Sequence, residues 1–425
     1  MEPHDPTRPR VSRRAWITTA SGVVAAGLVK TRLDAVDLLA QEPAPQPQEV
    51  DPASVPGRLV SEVGVRAPAE QPRRLIRAPA LSSSSRTPLQ DLHGILTPAD
   101  LHFERHHAGI PDITRENHRL LIHGMVERPT EYRMADLTRF PSVSRICFIE
   151  CSGNGGAGYG DGDLPTEITP QALDGLLSTS EWTGVPLSTV LREVGVRSGA
   201  SWLLAEGGDG ARLARSVPLA KALDDALLVY AQNGEAIRPE QGYPVRLLLP
   251  GWEGNAQVKW LRRLEVTDRP THTREETSRY TDPLSDGTAR QFSFVMDAKS
   301  LITFPAYPWA LPERGWWEVQ GLAWSGRGRI TRVEVSTDGG RRWTDAELQA
   351  PVLPKCTVRF RHLWNWDGGD TVLLSRATDE TGYVQPTLRT LLDARGDGTS
   401  YHWNNIRGWR VARDGTVTFG LSEVS

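Results

Sequence analysis

The sequence predicts an α+β domain followed by an antiparallel β-sandwich. Three observations carry this. Between His118 and Asp268, apolar strands and short amphipathic helices mix without strict β-α alternation. The last 125 residues hold nine of the fourteen tryptophans and alternate with period two between Gly-Gly and Asp-Gly turns. Neither pattern occurs before about Leu92.

The bounds are those of an ordinary globular chain. Its 425 residues suit two to three domains, with 39% hydrophobic and 24% charged residues. A net charge of -3 argues against a nucleic-acid binder. Only five lysines occur, so a single arginine carries little information and a lysine slightly more.

The elements follow in order. Residues 12–18 read SRRAWIT, and an uncharged stretch runs from Ala15 to Val29. Paired Arg13 and Arg14 before a modest apolar run point to a twin-arginine export signal within residues 1–45. A tail with a chance Arg-Arg pair is the alternative. The stretch is too short for a transmembrane helix, which needs about 20 residues, so none is expected in the mature chain. The sequence thus points to export, to the periplasm or the outer face of the membrane. That route carries folded proteins, often with cofactors inserted. QEPAPQPQEVDP opens a Pro- and Gln-rich flexible linker over 46–90.

HRLLIHGMV from His118 to Val126 predicts a strand, RMADLTRFP a short helix ended by Pro141, and SRICFIEC a buried strand before the loop GNGGAGYGDGD. WTGVPLSTVLREVGV predicts a turn and then an amphipathic helix with Leu187, Val190, Leu191 and Val194 on one face. SWLLAEGGDG, ALLVYAQNG, YPVRLLLPG and VKWLRRLEVTD predict strands, and SVPLAKALDD a helix start. GWWEVQGLAWSG, ITRVEVSTDGGRRW, TVRFRHLWNWDGGDTVLLSRATDETGYVQP and TVTFG supply the sandwich strands, with the boundary near residue 290.

Three cysteines make no disulfide scaffold, and Cys147 and Cys151, four apart in one strand, lie too far from each other to bridge. Cys151 sits where a strand turns into glycines. It reads as a core cysteine, as a nucleophile with His102, His106 or His107 as base, or as a soft ligand for a metal, with glycine leaving room for a bulky group. FERHHAGIP places Arg105, His106 and His107 together, which suits an oxyanion or a solvated loop. Arg246 and Lys259 fall within apolar runs and need a partner or an anion. Asp209 in EGGDG can accept from a ring nitrogen or cap a turn.

These segments resemble the sulfite oxidase family of molybdenum enzymes. TPADLHFERHHAGIP, FIECSGNGG, EWTGVPL, EGGDG, SVPLAKALD, QGYPVRLLLPG and VKWL stand in the family's order over residues 91–425. Within the family, RPEQGYPVRLLLPGWEGNAQVKWLRR and REETSRYTDPLSDGTARQFSFVMDAKS are most similar to the molybdenum subunits of sulfane dehydrogenases. The resemblance implies a sulfite-oxidase-type mixed α/β molybdopterin domain over 91–289 and an immunoglobulin-like dimerisation domain over 290–425. It implies molybdenum-molybdopterin as cofactor and Cys151 as the metal ligand. By resemblance Arg105 binds an anionic sulfur substrate and Tyr280, 21 residues after Lys259, is the active-site tyrosine. Phe103, Glu104, Arg105, His106, His107, Asp209, Gln241, Arg246, Gln257, Val258 and Lys259 match positions that hold the molybdopterin and its phosphate.

Two departures stand out. Gln241 replaces the histidine of animal sulfite oxidases, and Gly155 and Gly156 replace two arginines beside the substrate channel. A channel with less charge there suits a sulfur group carried on a protein arm, which implies a sulfur-carrier partner; free sulfite is the alternative substrate. Neither C-x-x-C-H nor HPGG occurs, so no haem is expected in this chain, and the electrons are expected to leave to a separate c-type cytochrome subunit. A reductase of the same family and an exported binding protein built on the sandwich are the remaining readings.

Overall fold

The computed structural model describes residues 55–420 apart from Arg58, 160–164, Ser285 and Asp397. The twin-arginine motif lies outside them. From Arg66 onward the described residues form one compact unit.

Two five-stranded sheets build the first domain. One runs Thr130–Tyr132, Leu120–Gly124, Leu261–Thr267, Trp202–Gly207, Ala214–Pro218. Only Leu120–Gly124 and Leu261–Thr267 pair in parallel, so the mixed, non-alternating pattern in the sequence has its counterpart here. Helix Leu187–Val194 buries the four apolar residues its spacing predicts, in a core with Leu203, Val217, Leu247 and Leu264. The other sheet is antiparallel. Strand Val143–Glu150 pairs through all of its residues with Leu177–Pro186, from Val143 opposite Gly184 to Glu150 opposite Leu177. Its first three residues are exposed and burial begins toward Cys147, so the strand dives inward and delivers Cys151 at its inner end.

Three expectations need correction. Trp182-Thr183-Gly184 is no turn; it lies within the strand Leu177–Pro186. A Cβ on Gly184 would collide with the backbone of Leu228 and Val229 on the neighbouring strand. The glycine serves close approach of two backbones, a use that sequence cannot tell from a turn. Strands also occur before Leu92. Leu75–Ile76 and Ser84–Arg86 form a small sheet with Glu104–Arg105, through the pairs Leu75–Arg86 and Ser84–Arg105. A segment read as linker therefore straps the stretch that carries Arg105. Lys259 and Trp260 also lie before their expected strand, in a turn where Trp260 takes a φ of 51°.

The second domain is a sandwich of a four-stranded and a five-stranded antiparallel sheet. Trp324, Phe360, Leu373, Trp409 and Phe419 fill the space between them. Burying Trp324 alone removes roughly 150–250 Å² from water, about 4–6 kcal/mol before entropy is counted. The same core takes in Leu89, Phe148, Leu173 and Leu177 from the first domain. The boundary near residue 290 thus separates two sequence patterns but not two cores. One helix, Leu388–Arg395, interrupts the strands and starts at Thr387, whose hydroxyl accepts from Thr390 N at 3.2 Å.

Candidate active site

Cys151 stands just past the strand Val143–Glu150, with its N–H donating to Leu176 O at 3.0 Å. The loop after it is built on glycine for steric reasons. Gly155 has a φ of 90°, and a Cβ there would collide with the Arg407 guanidinium. A Cβ on Gly156 would lie 3.3 Å from Trp403 Nε1. The absent arginines at these two positions are thus answered by packing from the sandwich domain. Beneath the loop, Glu150 is 1% exposed and accepts from Asn154 Nδ2 at 2.9 Å, Lys299 Nζ at 3.0 Å and Trp324 Nε1 at 2.7 Å. Asp174 pairs with Lys299 at 2.6 Å and with Arg407. Two cations and a tryptophan of the second domain therefore anchor the strand end that carries the thiol.

Cys151 faces two cavities. The inner one, of about 690 Å³, is also lined by Phe103, His106, Asp209, Gln241, Arg246, Gln257, Val258 and Lys259, as the resemblance implies. Arg246 is buried; it donates to Gln241 O at 3.0 Å and Gln257 O at 3.1 Å, while its Nε has no partner among the described residues. Burial pulls its pKa down to about 9. Lys259 Nζ contacts Arg105 O at 3.2 Å, His106 Nδ1 at 2.9 Å and Glu240 O at 3.0 Å. Burial, then Arg246, push its pKa well below the usual lysine value. Gln241 Nε2 donates to Phe103 O at 2.9 Å. Gln257 Nε2 donates to Trp252 O at 2.8 Å, which fixes the turn before Val258. Asp209 is 4% exposed, and its Oδ1 has no partner among the described residues.

The outer cavity, of about 1050 Å³, shares Arg105, His107, Cys151 and Tyr280 with the inner one. Arg105 Nη1 donates to His106 O and, at 3.4 Å, to Ser83 O on the strap. His107 Nε2 and Tyr280 OH lie 3.1 Å apart. Burial, with Arg105 and Arg279 adding, lowers His107 to about 4, so it is neutral at neutral pH. Burial raises Tyr280 above the usual phenol value, so it keeps its proton. Buried Arg215 lies 5.2 Å beneath the Tyr280 ring, held by Glu253 at 3.0 Å.

Of the expected residues, Glu104 alone does not line the inner cavity. Its carboxylate turns back to Arg74 and to His106 Nε2 at 2.8 Å, so it sets the histidine from behind. The histidines proposed as a base for Cys151 are engaged elsewhere: His106 by Glu104 and Lys259, His107 by Tyr280, His102 Nδ1 by Phe103 O at 3.0 Å. The sequence reading missed His102 as a wall of the inner cavity, with its Nε2 free among the described residues. It also missed Arg77, Arg86, Arg279 and Tyr401 in the outer one. Pro- and Ser-rich surroundings hide the first two, and abundant arginine gives none of the three any contrast.

The donor set tests the cofactor. Among the described residues no group of three or more His, Cys, Asp or Glu can hold a metal. A metal beside Cys151 would take one protein sulfur and most of its donors from outside the protein, which an organic ligand can supply. Burial pushes the Cys151 thiol above its usual pKa, so a thiolate there needs a strong cation. On the other side, half-buried Lys259 and buried Arg246 bring positive charge that an anionic group would satisfy. A metal carried on a phosphorylated organic ligand fits both ends of this cavity.

Comparison with known proteins agrees. A family profile for the oxidoreductase molybdopterin binding domain matches residues 107–275, and one for the Mo-co oxidoreductase dimerisation domain matches 290–408. The solved structure of the sulfane dehydrogenase SoxCD from Paracoccus pantotrophus is 44% identical, covers 91% of this chain and 100% of its own, and superposes with a TM-score of 0.84. NADH nitrate reductases of Ulva prolifera and Phaseolus vulgaris are each 32% identical over 70% and 67% of this chain. The chain spans just over a third of the length of these relatives, 38% and 35%. The chain belongs to the sulfite oxidase family of molybdopterin-binding oxidoreductases.

Proposed function

We propose that this chain is the molybdenum subunit of a sulfane dehydrogenase, oxidising carrier-bound sulfur in thiosulfate oxidation. The observation that carries the reading is the shared wall. Arg105, His107, Cys151 and Tyr280 line both a cavity suited to the cofactor and a cationic vestibule open to substrate. The 44% identity to a sulfane dehydrogenase over that protein's full length supports sulfur as the substrate element.

Each residue then has a physical task. Cys151 thiolate ligates the metal. Lys259, Arg246, Gln241 and His106 would hold the anionic part of the pterin cofactor, and Phe103 and Val258 would offer it apolar surface. Asp209 accepts from it, and Gln257 holds the cavity wall. Molybdenum, when bound, supplies two-electron oxygen transfer to sulfur. Arg105 draws in the anionic sulfur and offsets its charge in a site partly shut from water. Neutral His107 holds Tyr280, and the protonated Tyr280 hydroxyl can relay a proton beside the reacting sulfur. The electrons pass to a separate c-type cytochrome subunit, and residues 290–425 join two copies of the chain. The Arg13-Arg14 signal places the assembly in the periplasm or on the outer face of the membrane.

Steady-state assays of loaded enzyme with a persulfide, sulfite and nitrate test this. Turnover should be fastest with the persulfide. Sulfite alone as substrate favours the free-sulfite dehydrogenase, and reduction of nitrate alone overturns both. Arg105→Ala is expected to raise KM by roughly tenfold or more, the loss of one charged hydrogen-bonding partner; unchanged kinetics remove Arg105 from the anion site. Tyr280→Phe should lower kcat by about a hundredfold if its hydroxyl moves a proton. An unchanged rate assigns that hydroxyl to packing.

A further inference from the structure

The outer cavity holds charge that the catalytic assignment does not use. Arg77, Arg86, Arg105 and Arg279 line it, and no Asp or Glu does among the described residues. Arg105 is tied to backbone carbonyls of Ser83 and His106. The guanidinium groups of Arg77, Arg86 and Arg279 make no hydrogen bond or ion pair with the described residues. Arg86 is half-buried, yet its backbone is fixed on both sides: its carbonyl accepts from Gln171 Nε2 at 2.8 Å, and Thr87 N donates to Gly175 O at 2.8 Å. Burial, then nearby Arg77, weaken the hold of Arg86 on its proton, and Asp174 offsets this only in part. Exposed Arg77 and half-buried Arg86 add two guanidinium groups beyond what a single small anion beside Arg105 requires.

We propose that Arg77 and Arg86, on the strap Leu75–Arg86, form an outer oxyanion subsite, distinct from the Arg105 position, that holds a sulfonate, sulfate or carboxylate group. Its occupant is either the far end of an extended sulfur substrate or a released oxyanion leaving the site. The strap returns cationic charge from another part of the chain to a channel that lost it at Gly155 and Gly156. The subsite's part in turnover rests on the proposed function; its affinity for an oxyanion does not.

The test uses the full chain loaded with molybdenum and the double variant Arg77→Gln/Arg86→Gln. Calorimetric titration with sulfate, without turnover, should show affinity about tenfold weaker in the variant, as loss of charged hydrogen bonds implies. Kinetics then separate the two sources. If the far end of the substrate sits there, KM for glutathione persulfide, which carries carboxylates, rises about tenfold while KM for sulfite holds. If a released oxyanion sits there, the inhibition constant of sulfate rises and both KM values hold. Sulfate affinity, inhibition and KM all unchanged, in a variant with wild-type circular dichroism and molybdenum content, overturn the subsite. Loss of sulfate affinity in a protein that turns over no sulfur substrate overturns the proposed function and leaves the subsite standing.

Discussion

Replacing Cys151 by serine is expected to abolish turnover while the fold persists. The thiol is the one protein sulfur at the joint of the two cavities, and no cluster of other ligands stands in for it among the described residues. Loss of a group that merely orients a metal ligand costs 10- to 100-fold, so loss of the ligand itself should cost more than roughly a hundredfold. Cys151 contributes little else: it is only partly buried, and it lies at the edge of a small apolar cluster with Cys147, Trp182 and Leu248. Stability should therefore stay within about 1 kcal/mol of wild type, read from the denaturant midpoint. Retained activity in this variant removes Cys151 as the ligand and revives the core-cysteine reading.

The second large effect is on stability. Lys299 is 1% exposed and bridges Glu150 and Asp174, with Nζ 3.0 Å and 2.6 Å from their oxygens. Lys299→Met leaves two buried carboxylates short of one cation, and breaking a buried pair from one side costs about 3–5 kcal/mol. The unit Arg66–Ser425 is larger than the 150–250 residues for which 2–4 °C per kcal/mol holds, so each kcal/mol moves Tm by about 1–2 °C and Tm should fall by roughly five degrees. The pH dependence has a definite sign. Burial pushes Asp174 up, but Arg407 and Lys299 together pull it below its usual 3.8. A carboxyl depressed on folding stabilises above its unfolded pKa, and that stability is lost as pH falls through the folded value. With Lys299 gone, the acid loss should begin at a higher pH. A variant within 1 kcal/mol of wild type with an unchanged acid limb would show that Arg407 alone satisfies Asp174. Because Glu150 adjoins Cys151 and binds Asn154, the variant should also hold molybdenum less well.

What the sequence disclosed was what local chemistry writes. Alternation found the sandwich strands, and the apolar spacing of Leu187, Val190, Leu191 and Val194 found a helix. A thiol at a strand end before glycines marked a residue that the structure places on the wall of both cavities. The losses were non-local. The strap strands are two and three residues long and exist because Ser84 meets Arg105 across twenty-one positions of chain. No periodicity can appear in so short a run. Gly184 was read for a turn because the approach of Leu228 and Val229 is invisible along the chain. Glu104 was counted with its neighbours, since position in a motif does not reveal that its carboxylate turns away from the cavity.

Elemental analysis of the purified protein, matured in a host that makes the cofactor, tests the central claim most directly. The donor set around Cys151 and the cations Lys259 and Arg246 on the far wall predict about one molybdenum per chain, since a single thiolate and one anion-holding cavity can retain one cofactor. Protein from that host with no molybdenum would contradict the account, and the sandwich domain would then be the place to look for what this chain does.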